Sequence, residues 1–431
     1  MQAALLAIDP LSRSLALTLA LWAAALVALA WAVRCTRRGP EPTAGRILAV
    51  AFALRLLALP LEPTLSDDVK RYVWDGRVTL AGQNPYRYAP EAEELAALRD
   101  ELWRSLPHAS VPTVYPPLAM AGFSIAALAP APVLAWKALL TVADLVGIGF
   151  LVALARRRGL GLERCLWYAW HPLAVWEGAG MGHVDTLGVA ACLATVWLLL
   201  AGRPRGAGAA AAAGVLAKLV PLVALPLWAR AGGGRRFLAV AALVGLVATV
   251  PVVVAVGGVP PGLLIYGKSW EFNGPIYEPL WRICQAVALD DGVKSVLEFL
   301  KRSTGAHEAV NRLFPLVYPQ LLAKLMLLAV VAWALWRSLR GPTDDLPAAT
   351  GRLFAGVLVA SATFYPWYAL WILPWAALCL QPAWLLVAAL LPLAYLPQFA
   401  GVEYFPWVWL AIWGPPAALA LSRKGRRWSS A

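Results

Sequence analysis

FLAVAALVGLVATVPVVVAV, at residues 237–256, is the stretch that decides the fold, because it contains 20 residues without a charge. A helix of about this length crosses a hydrocarbon core roughly 30 Å thick. Comparable runs recur from Leu15 to Leu421, and 61% of all residues are hydrophobic while only 14% are charged. The runs are continuous rather than alternating, which favours helices over an outer-membrane barrel. The sequence therefore predicts an all-α, polytopic integral membrane protein with one transmembrane domain over residues 1–431.

Short basic groups separate the apolar runs. The net charge of +13 is spread along the chain, and this argues against nucleic acid as a partner. Basic residues that flank apolar spans mark the cytoplasmic side. The predicted location is a bacterial inner (cell) membrane, with the C-terminus in the cytoplasm. The groups are Arg34/Arg37/Arg38/Arg46, Arg156/Arg157/Arg158/Arg164, Arg203/Arg205, Arg230/Arg235/Arg236, Arg337/Arg340/Arg352 and Arg423/Lys424/Arg426/Arg427.

Alternation between basic and polar connections predicts about eleven transmembrane helices, with a range of 10 to 13. The first run, 15–33, precedes a basic loop and is interpreted as a retained span rather than a cleaved signal peptide. Segments 115–129 and 207–229 fit no full crossing and are predicted to be a half-depth helix and a re-entrant pair. Two long extracytoplasmic loops remain, at 64–112 and 257–313. Loops of that length are usually functional.

The first of these outer loops carries most of the reactive side chains, and it opens with Ser66, Asp67 and Asp68. A carboxylate beside the bilayer can act as a general base, and neighbouring arginines can neutralise a phosphate. Aromatic rings can stack on a sugar or hold the lipid interface. The structural alternative is that Ser66 caps a short helix whose first turn carries the two acids. Composition alone does not choose between these interpretations.

Several short motifs resemble the GT-C superfamily of glycosyltransferases, and within it the bacterial polyprenyl-phosphate-mannose-dependent mannosyltransferases. In the first outer loop they are Ser66-Asp67-Asp68 through Tyr72, Trp74-Asp75-Gly76 and Asn84-Pro85-Tyr86. Further along they are Tyr115-Pro116-Pro117, His171-Pro172-Leu173, Gly182-His183-Val184-Asp185, Lys218-Leu219-Val220-Pro221, Trp270-Glu271-Phe272-Asn273 and Pro366-Trp367-Tyr368. Each motif is weak alone, but their order is fairly specific.

The resemblance implies an inverting hexosyltransferase, most simply a mannosyltransferase, that uses a polyprenyl-phosphate sugar donor. Its base would be the aspartate four residues before Tyr72, which is Asp68, with Asp67 as the alternate. Lys70 stands where the family leads us to expect an aromatic residue. A lipid-linked or glycan hydroxyl would be the acceptor, and membrane lipids would surround the protein. No cofactor and no metal are expected, because neither the carboxylates nor the five scattered cysteines have a metal-ligand spacing.

Other residues are candidates for substrate binding. His183 is expected to donate to the donor phosphate with Asp185 fixing its tautomer, although a purely structural bond at a glycine-rich helix end is also possible. Lys218, at the centre of 207–229, could contact a lipid phosphate or pin the hairpin. The remaining candidates are Arg71, Tyr72, Trp74, Asp75, Arg77, Asn84, Tyr86, Tyr115, Lys268, Glu271, Asn273, Trp367 and Tyr368.

Two other functions stay open at this point. A transporter or flippase for a lipid-linked sugar would share the buried bases and interfacial aromatics, but it predicts ionisable residues concentrated at mid-membrane. Here the polar residues are denser in the outer loops, which favours the enzyme. A catalytically silent scaffold would lack a cavity beside Asp68. The chain has no G-x-G-x-x-G unit for a nucleotide, as a transferase with a lipid-linked donor would require none.

Overall fold

The computed structural model describes residues 14–317 and 321–422. This part of the chain is helical and contains no strand, although Thr363 forms isolated β-bridges with Phe272 and Asn273. The helical class predicted from the sequence is confirmed. The first twelve α-helices are α1 Leu15–Arg38, α2 Ala44–Ala58, α3 Asp68–Leu80, α4 Glu101–Arg104, α5 Pro117–Ala127, α6 Pro132–Arg157, α7 Leu166–Ala169, α8 Pro172–Ala174, α9 Asp185–Leu200, α10 Pro204–Ala217, α11 Leu225–Trp228 and α12 Gly234–Val256.

The second half continues with shorter helices. They are α13 Pro261–Ser269, α14 Tyr277–Ala286, α15 Leu289–Thr304, α16 His307–Val317, α17 Leu321–Arg340, α18 Leu346–Val359, α19 Leu373–Leu378, α20 Pro382–Leu390, α21 Leu396–Ala400 and α22 Trp409–Ser422. Segments of 3₁₀-helix lie at Glu93–Leu98, Leu162–Cys165, Val220–Ala224, Pro366–Trp371 and Leu391–Tyr395, and a π-helical segment lies at Val175–Gly180. The segments Ala229–Gly233 and Tyr404–Val408 are kinks with non-helical backbone angles. The predicted outer loop 257–313 therefore consists largely of helices.

Four helical stretches in the described residues are long and apolar enough to cross a membrane: Leu15–Arg38, Pro132–Arg157, Val220–Val256 and Pro382–Ala400. A fifth candidate is Pro172–Gly180 with Asp185–Leu200, which are bent by 119°. The structure does not confirm the predicted count of about eleven. Proline is the main physical reason, because it interrupts helical hydrogen bonding inside several predicted spans.

The helix α12 has the surface expected of a lipid-facing element. Leu243, Val247 and Val254 are all more than 60% exposed. The apolar stretch that contains this helix, Val220–Val256, is the least buried of the four long apolar stretches. Apolar side chains exposed in such number are stable only against lipid or another apolar surface. Together with the other long apolar helices, this marks the chain as a membrane protein.

Two predicted irregular segments are present as short or broken helices. The helix α5 has 11 residues and spans only about 16 Å, which is about half of a hydrocarbon core. After α10, Lys218 has an extended backbone (φ −159°, ψ 142°) and a 3₁₀ turn follows. The break predicted at Lys218 is confirmed, while the depth of either segment in a membrane stays a prediction.

Three charges inside the predicted spans, Arg55, Asp144 and Lys137, are bonded within the protein. The buried Arg55 guanidinium donates to Asp144 at 2.7 Å, and Tyr168 donates to the other oxygen of the same carboxylate at 2.7 Å. Lys137 is buried and donates from Nζ to the Leu61 carbonyl at 2.6 Å. Bonds of this kind are what make a buried charge tolerable. These groups therefore contribute to the bundle rather than to a cavity.

The segment 64–112 has a small hydrophobic core of its own. Trp74, Val78 and Leu95 are fully buried against one another. On the opposite side of α3, Tyr72 stacks on Phe123 of α5 at 4.5 Å between ring centroids and lies edge-on to Trp136 of α6. This packing fixes α3 on α5 and α6, and it thereby sets the position of the two acids at the start of α3.

Candidate functional site

The two adjacent acids at the start of α3 have different environments. Asp67 precedes the helix and its carboxylate pairs with Lys70 Nζ at 2.6 Å, with half of the Asp67 side chain exposed. Asp68 is the first helical residue, and its Oδ2 lies 3.7 Å from His183 Nδ1. Ser66 Oγ accepts a bond from the Asp68 amide at 3.3 Å. Lys70 thus holds one acid at the surface, while Asp68 faces inward.

Asp68 lies on the wall of a cavity of about 550 Å³. Its volume is in the range of pockets that bind small molecules. The lining residues are drawn from the segments 64–112 and 257–313 and from breaks between helices, within the ranges 65–71, 107–116, 218–220, 263–272 and 357–368 and at 395 and 398. A catalytically silent scaffold would lack a cavity beside Asp68, so the presence of this cavity favours a reactive site.

One wall of the cavity is aromatic. Tyr365 and Trp367 stack in parallel at 4.6 Å between ring centroids, and Phe272 stacks on the other face of this pair at 4.7 Å from Tyr365. His183 lies behind Trp367, at 3.7 Å and nearly parallel to it. Tyr368 also lines the cavity. Flat apolar faces beside polar groups are suited to a ligand with both kinds of surface, such as a sugar or an isoprenoid.

Lys218 supplies a cation to the same cavity. Its Nζ lies 2.8 Å and 2.7 Å from the two oxygens of Asp185, and 4.5 Å above the Tyr368 ring. Asp185 is fully buried and also accepts a bond from Trp371 Nε1 at 2.6 Å. The partner of Asp185 is therefore Lys218, and the expectation that Asp185 orients His183 is corrected.

A second carboxylate beside His183, after Asp68, is that of Glu177, which sequence reasoning missed. His183 Nε2 lies 3.2 Å from Glu177 Oε2, and both side chains are fully buried. The sequence does contain a signal for Glu177. A carboxylate within an apolar run is costly to bury, and such a residue is therefore a candidate functional residue. His183 itself does not line the cavity, so the predicted contact with a donor phosphate lacks support.

Arg71 lines the cavity but its bonds are directed at protein groups. The guanidinium donates to Asp75 at 2.8 Å, to the Val111 carbonyl at 2.7 Å and to the His108 carbonyl at 3.2 Å. Burial raises the pKa of the Asp75 carboxyl, and the adjacent Arg71 charge opposes that shift. Arg71 therefore anchors the 105–112 segment over the cavity.

The segments 64–112 and 257–313 meet at the cavity through His108 and Trp270, whose ring centroids lie 4.5 Å apart. His108 has a left-handed backbone (φ 51°), a conformation that costs energy for a residue with a side chain. Both residues line the cavity. His108 was not singled out from the sequence, and no periodicity or motif marks it.

Several other predicted residues lie outside the cavity. Arg77 pairs with Asp100 at the surface, and Asn84 Oδ1 accepts from the Tyr86 amide in a turn. Asn273 is buried, with its amide donating to the Phe364 carbonyl and its oxygen accepting from Tyr404 and Trp413. Of the predicted site, the cavity brings together Asp67, Asp68, Arg71, Tyr115, Lys218, Trp367 and Tyr368, and it leaves out Tyr72, Trp74, Asp75, Arg77, Asn84, Tyr86, His183, Asp185, Glu271 and Asn273. The side chain of Lys268 is outside the described residues.

Over residues 14–317 and 321–422, no cluster of three or more His, Cys, Asp or Glu side chains is arranged to hold a metal ion. The fold and the site thus define a helical membrane protein with an aromatic-walled cavity that is lined by Asp68 and Lys218. The family model of the alpha-(1->6)-mannopyranosyltransferases, N-terminal domain, matches residues 2–232. Because that is more than half of the 431 residues, the chain belongs to this family and is a mannosyltransferase. No curated protein and no solved structure gives a significant match.

Proposed function

We propose that this protein is an inverting mannosyltransferase that takes its sugar from a polyprenyl-phosphate donor on the extracytoplasmic face. The observation that carries the proposal is the position of Asp68 on the wall of the 550 Å³ cavity. The family membership supports mannosyl transfer, and the residues that it matches include Asp68 and Lys218. The sugar acceptor would be a hydroxyl of a lipid-linked or glycan molecule.

In the proposed reaction, Asp68 takes the proton of the acceptor hydroxyl as the oxygen attacks the anomeric carbon. The bond between that carbon and the phosphate oxygen breaks, and polyprenyl phosphate leaves. A general base of this kind contributes on the order of 10²–10⁴-fold in rate. Asp67 is less suited to this role because Lys70 already neutralises it at 2.6 Å.

Lys218 is the cation best placed for the leaving phosphate, since it lines the cavity and shares its charge with Asp185, while Arg71 is committed to Asp75 and two carbonyls. Arg77 lies outside the cavity and pairs with Asp100. The aromatic wall of Tyr365, Trp367 and Phe272 would contact the sugar or the first isoprene units. The aliphatic side of the cavity, with Leu263, Val357 and Leu358, is suited to the lipid chain.

The placement outside the cell is supported by the distance between the basic groups and the cavity. Arg156 and Arg157 end the helix α6, while Trp136 near its start contacts Gly182 beside His183. Those two points are separated by about 30 Å along the helix axis. Since clustered arginines favour the cytoplasmic side, the cavity would lie at the opposite membrane surface.

The test is transfer by the purified protein in liposomes, with polyprenyl-phosphate mannose compared against nucleotide-linked mannose. We expect transfer from the lipid donor only, with the anomeric configuration of the product opposite to that of the donor. Asp68→Asn should lose at least about 10²-fold in kcat, while Asp67→Asn should retain most of it. Full transfer by Asp68→Asn would remove this residue as the base. Movement of intact donor across the bilayer without cleavage would instead favour a flippase.

A further inference from the structure

A second cavity, of about 570 Å³, lies near the far end of α6. The start of α6 packs against α3 and the Asp68 region through Trp136 and Tyr72, whereas this cavity is formed by the start of α2, the last turns of α6 and the last turn of α9. Volumes of this size are typical of sites for small molecules, and the proposed reaction does not use it. The residues that define its chemistry are Leu48, Gly149, Val152, Arg156, Arg157 and Trp197.

Two arginines give the second cavity a positive charge. Arg156 and Arg157 both line it, and none of its lining residues in the described part of the chain is acidic. Within residues 14–317 and 321–422, neither guanidinium forms an ion pair or a hydrogen bond. The next residue, Arg158, already pairs with Asp345 at 3.6 Å. The charges of Arg156 and Arg157 are therefore available to an anion.

The rest of the second cavity is apolar and extends along the helices. Leu48 of α2, Val152 of α6 and Trp197 of α9 supply its walls. A Cβ added at Gly149 would meet no atom within 4 Å, so the cavity is open at this level. Gly149 lies about 10 Å along the axis of α6 from Arg156. The apolar walls therefore extend from the charges toward the middle of a helix that is long enough to cross a membrane.

An anionic glycerophospholipid fits both parts of the second cavity. A soluble anion such as inorganic phosphate would use the arginines but leave the apolar walls uncovered, while a neutral lipid would cover the walls and leave the arginines without an anion. The planar arginine fork binds phosphate oxygens with two N–H groups, and basic pockets between membrane helices on the cytoplasmic side bind anionic lipid head groups. Arginines at a cytoplasmic helix end are expected in any case, but that rule predicts no cavity beside them.

We propose that the second cavity binds one anionic glycerophospholipid from the leaflet on the arginine side, which is the cytoplasmic leaflet in the orientation proposed above. The lipid phosphate contacts Arg156 and Arg157, and one acyl chain lies along the apolar walls beside Gly149. The lipid thereby joins α2, α6 and α9 at the membrane surface opposite to Asp68. A ligand that binds only the folded protein stabilises it, so this lipid also stabilises the packing of the three helices.

The test is a competition between phosphatidylglycerol and phosphatidylcholine with identical acyl chains, for the purified protein in neutral detergent. Bound lipid is counted by native mass spectrometry. Each arginine beside an anionic head group contributes about fivefold in affinity, so we expect the wild type to prefer phosphatidylglycerol roughly 25-fold at its tightest site. Arg156→Gln and Arg157→Gln should each lose about fivefold of this preference, and the double variant should lose nearly all of it. Excess inorganic phosphate or glycerol 3-phosphate should not displace the lipid.

Two matched controls separate this site from general surface charge and from general lipid contact. The double variant Arg235→Gln/Arg236→Gln removes an adjacent, exposed arginine pair at the start of α12, outside the second cavity, and should keep the preference of the wild type. Gly149→Leu fills the apolar part of the cavity without changing a charge, and should lose the tightly bound lipid. Gly245→Leu on the lipid-facing α12, where an added Cβ also meets no atom within 4 Å, should retain it.

Equal losses in the two arginine pairs would show that the lipid responds to surface charge alone, and this result would overturn the site. Unchanged lipid binding by Gly149→Leu, or release of the lipid by inorganic phosphate, would overturn it as well. Thermal unfolding in detergent checks that each variant folds, and if Gly149→Leu does not fold, the comparison of the two arginine pairs decides alone. None of these measurements involves sugar transfer, so failure of this site and failure of the proposed function are distinguishable.

Discussion

The Lys218–Asp185 pair allows a quantitative test of how strongly the buried Asp185 carboxylate depends on Lys218 for the stability of the protein. We consider Lys218→Met, Asp185→Asn and the double variant. Removing Lys218 leaves Asp185 fully buried with only the Trp371 bond. Breaking a buried ion pair in this way costs about 3–5 kcal/mol. Because the Lys218 side chain is 21% exposed, we expect the lower end, about 3 kcal/mol of unfolding free energy.

The single change Asp185→Asn should cost less. It keeps the oxygen that accepts from Trp371, and Lys218 can reach water in the cavity, so the loss is that of a charged hydrogen bond, about 2 kcal/mol. The double variant buries no unpaired charge and should also lose only about 2 kcal/mol rather than the sum of about 5. The coupling free energy is therefore expected to be about 3 kcal/mol.

The measurement is reversible unfolding of the four proteins in mixed detergent–lipid micelles. The matched control is the same cycle for Arg77 and Asp100, which pair at 2.7 Å with side chains 39% and 47% exposed. An exposed pair of that kind should couple by less than about 1 kcal/mol. If Lys218 and Asp185 couple no more strongly than this control, the argument that Asp185 depends on Lys218 is refuted.

Three further changes, with one control, test the packing around the acids. Gly76→Ala would place a Cβ 2.4 Å from the Phe123 carbonyl oxygen. This backbone clash should lower the free energy of unfolding, measured by thermal unfolding, by about 1–3 kcal/mol. In the control, Gly45→Ala, the added Cβ meets open space, so stability should stay the same or rise. Lys70→Ala removes only a partly exposed pair, so stability should change by less than about 1 kcal/mol and transfer should persist. Arg71→Gln strips a buried carboxylate of its partner and should lose about 3–5 kcal/mol, with faster proteolysis within 105–112.

The sequence was most informative about features that depend on local pattern. Continuous apolar runs predict helices, and the break at Lys218 follows from a base and a proline inside an apolar segment. The number of spans was not predictable in the same way, because prolines such as Pro172 and Pro374 divide runs that composition alone treats as single helices. A proline hardly changes the mean hydropathy of a run, but it removes a backbone hydrogen bond and so ends or kinks the helix.

The candidate site shows where pairing between distant segments escapes a single sequence. Asp68 was identifiable from its motif, but the choice against Asp67 depends on Lys70 folding back onto Asp67 by one helical turn. Lys70, which replaces the aromatic residue expected from the family, thus has a physical role as the ion-pair partner of Asp67. Asp185 was assigned to His183 because the two are neighbours in sequence, yet its partner is 33 residues away. Adjacent residues on a turn commonly face different directions.

The pairing of Lys218 with Asp185 also bears on how the proposed reaction would gain rate. A phosphodiester donor carries one negative charge, while a leaving phosphate monoester carries about −1.5 to −2 near neutral pH. A lysine already shared with Asp185 at 2.7 Å attracts the donor weakly, and its attraction grows as the second charge develops on the leaving oxygen. The attraction of a free lysine would grow in the same way, but such a lysine would hold both the donor and the departing phosphate more tightly, and tight binding of the donor alone does not raise kcat. Asp185 would therefore limit ground-state binding and product retention, which a cavity lined by unpaired cations would not.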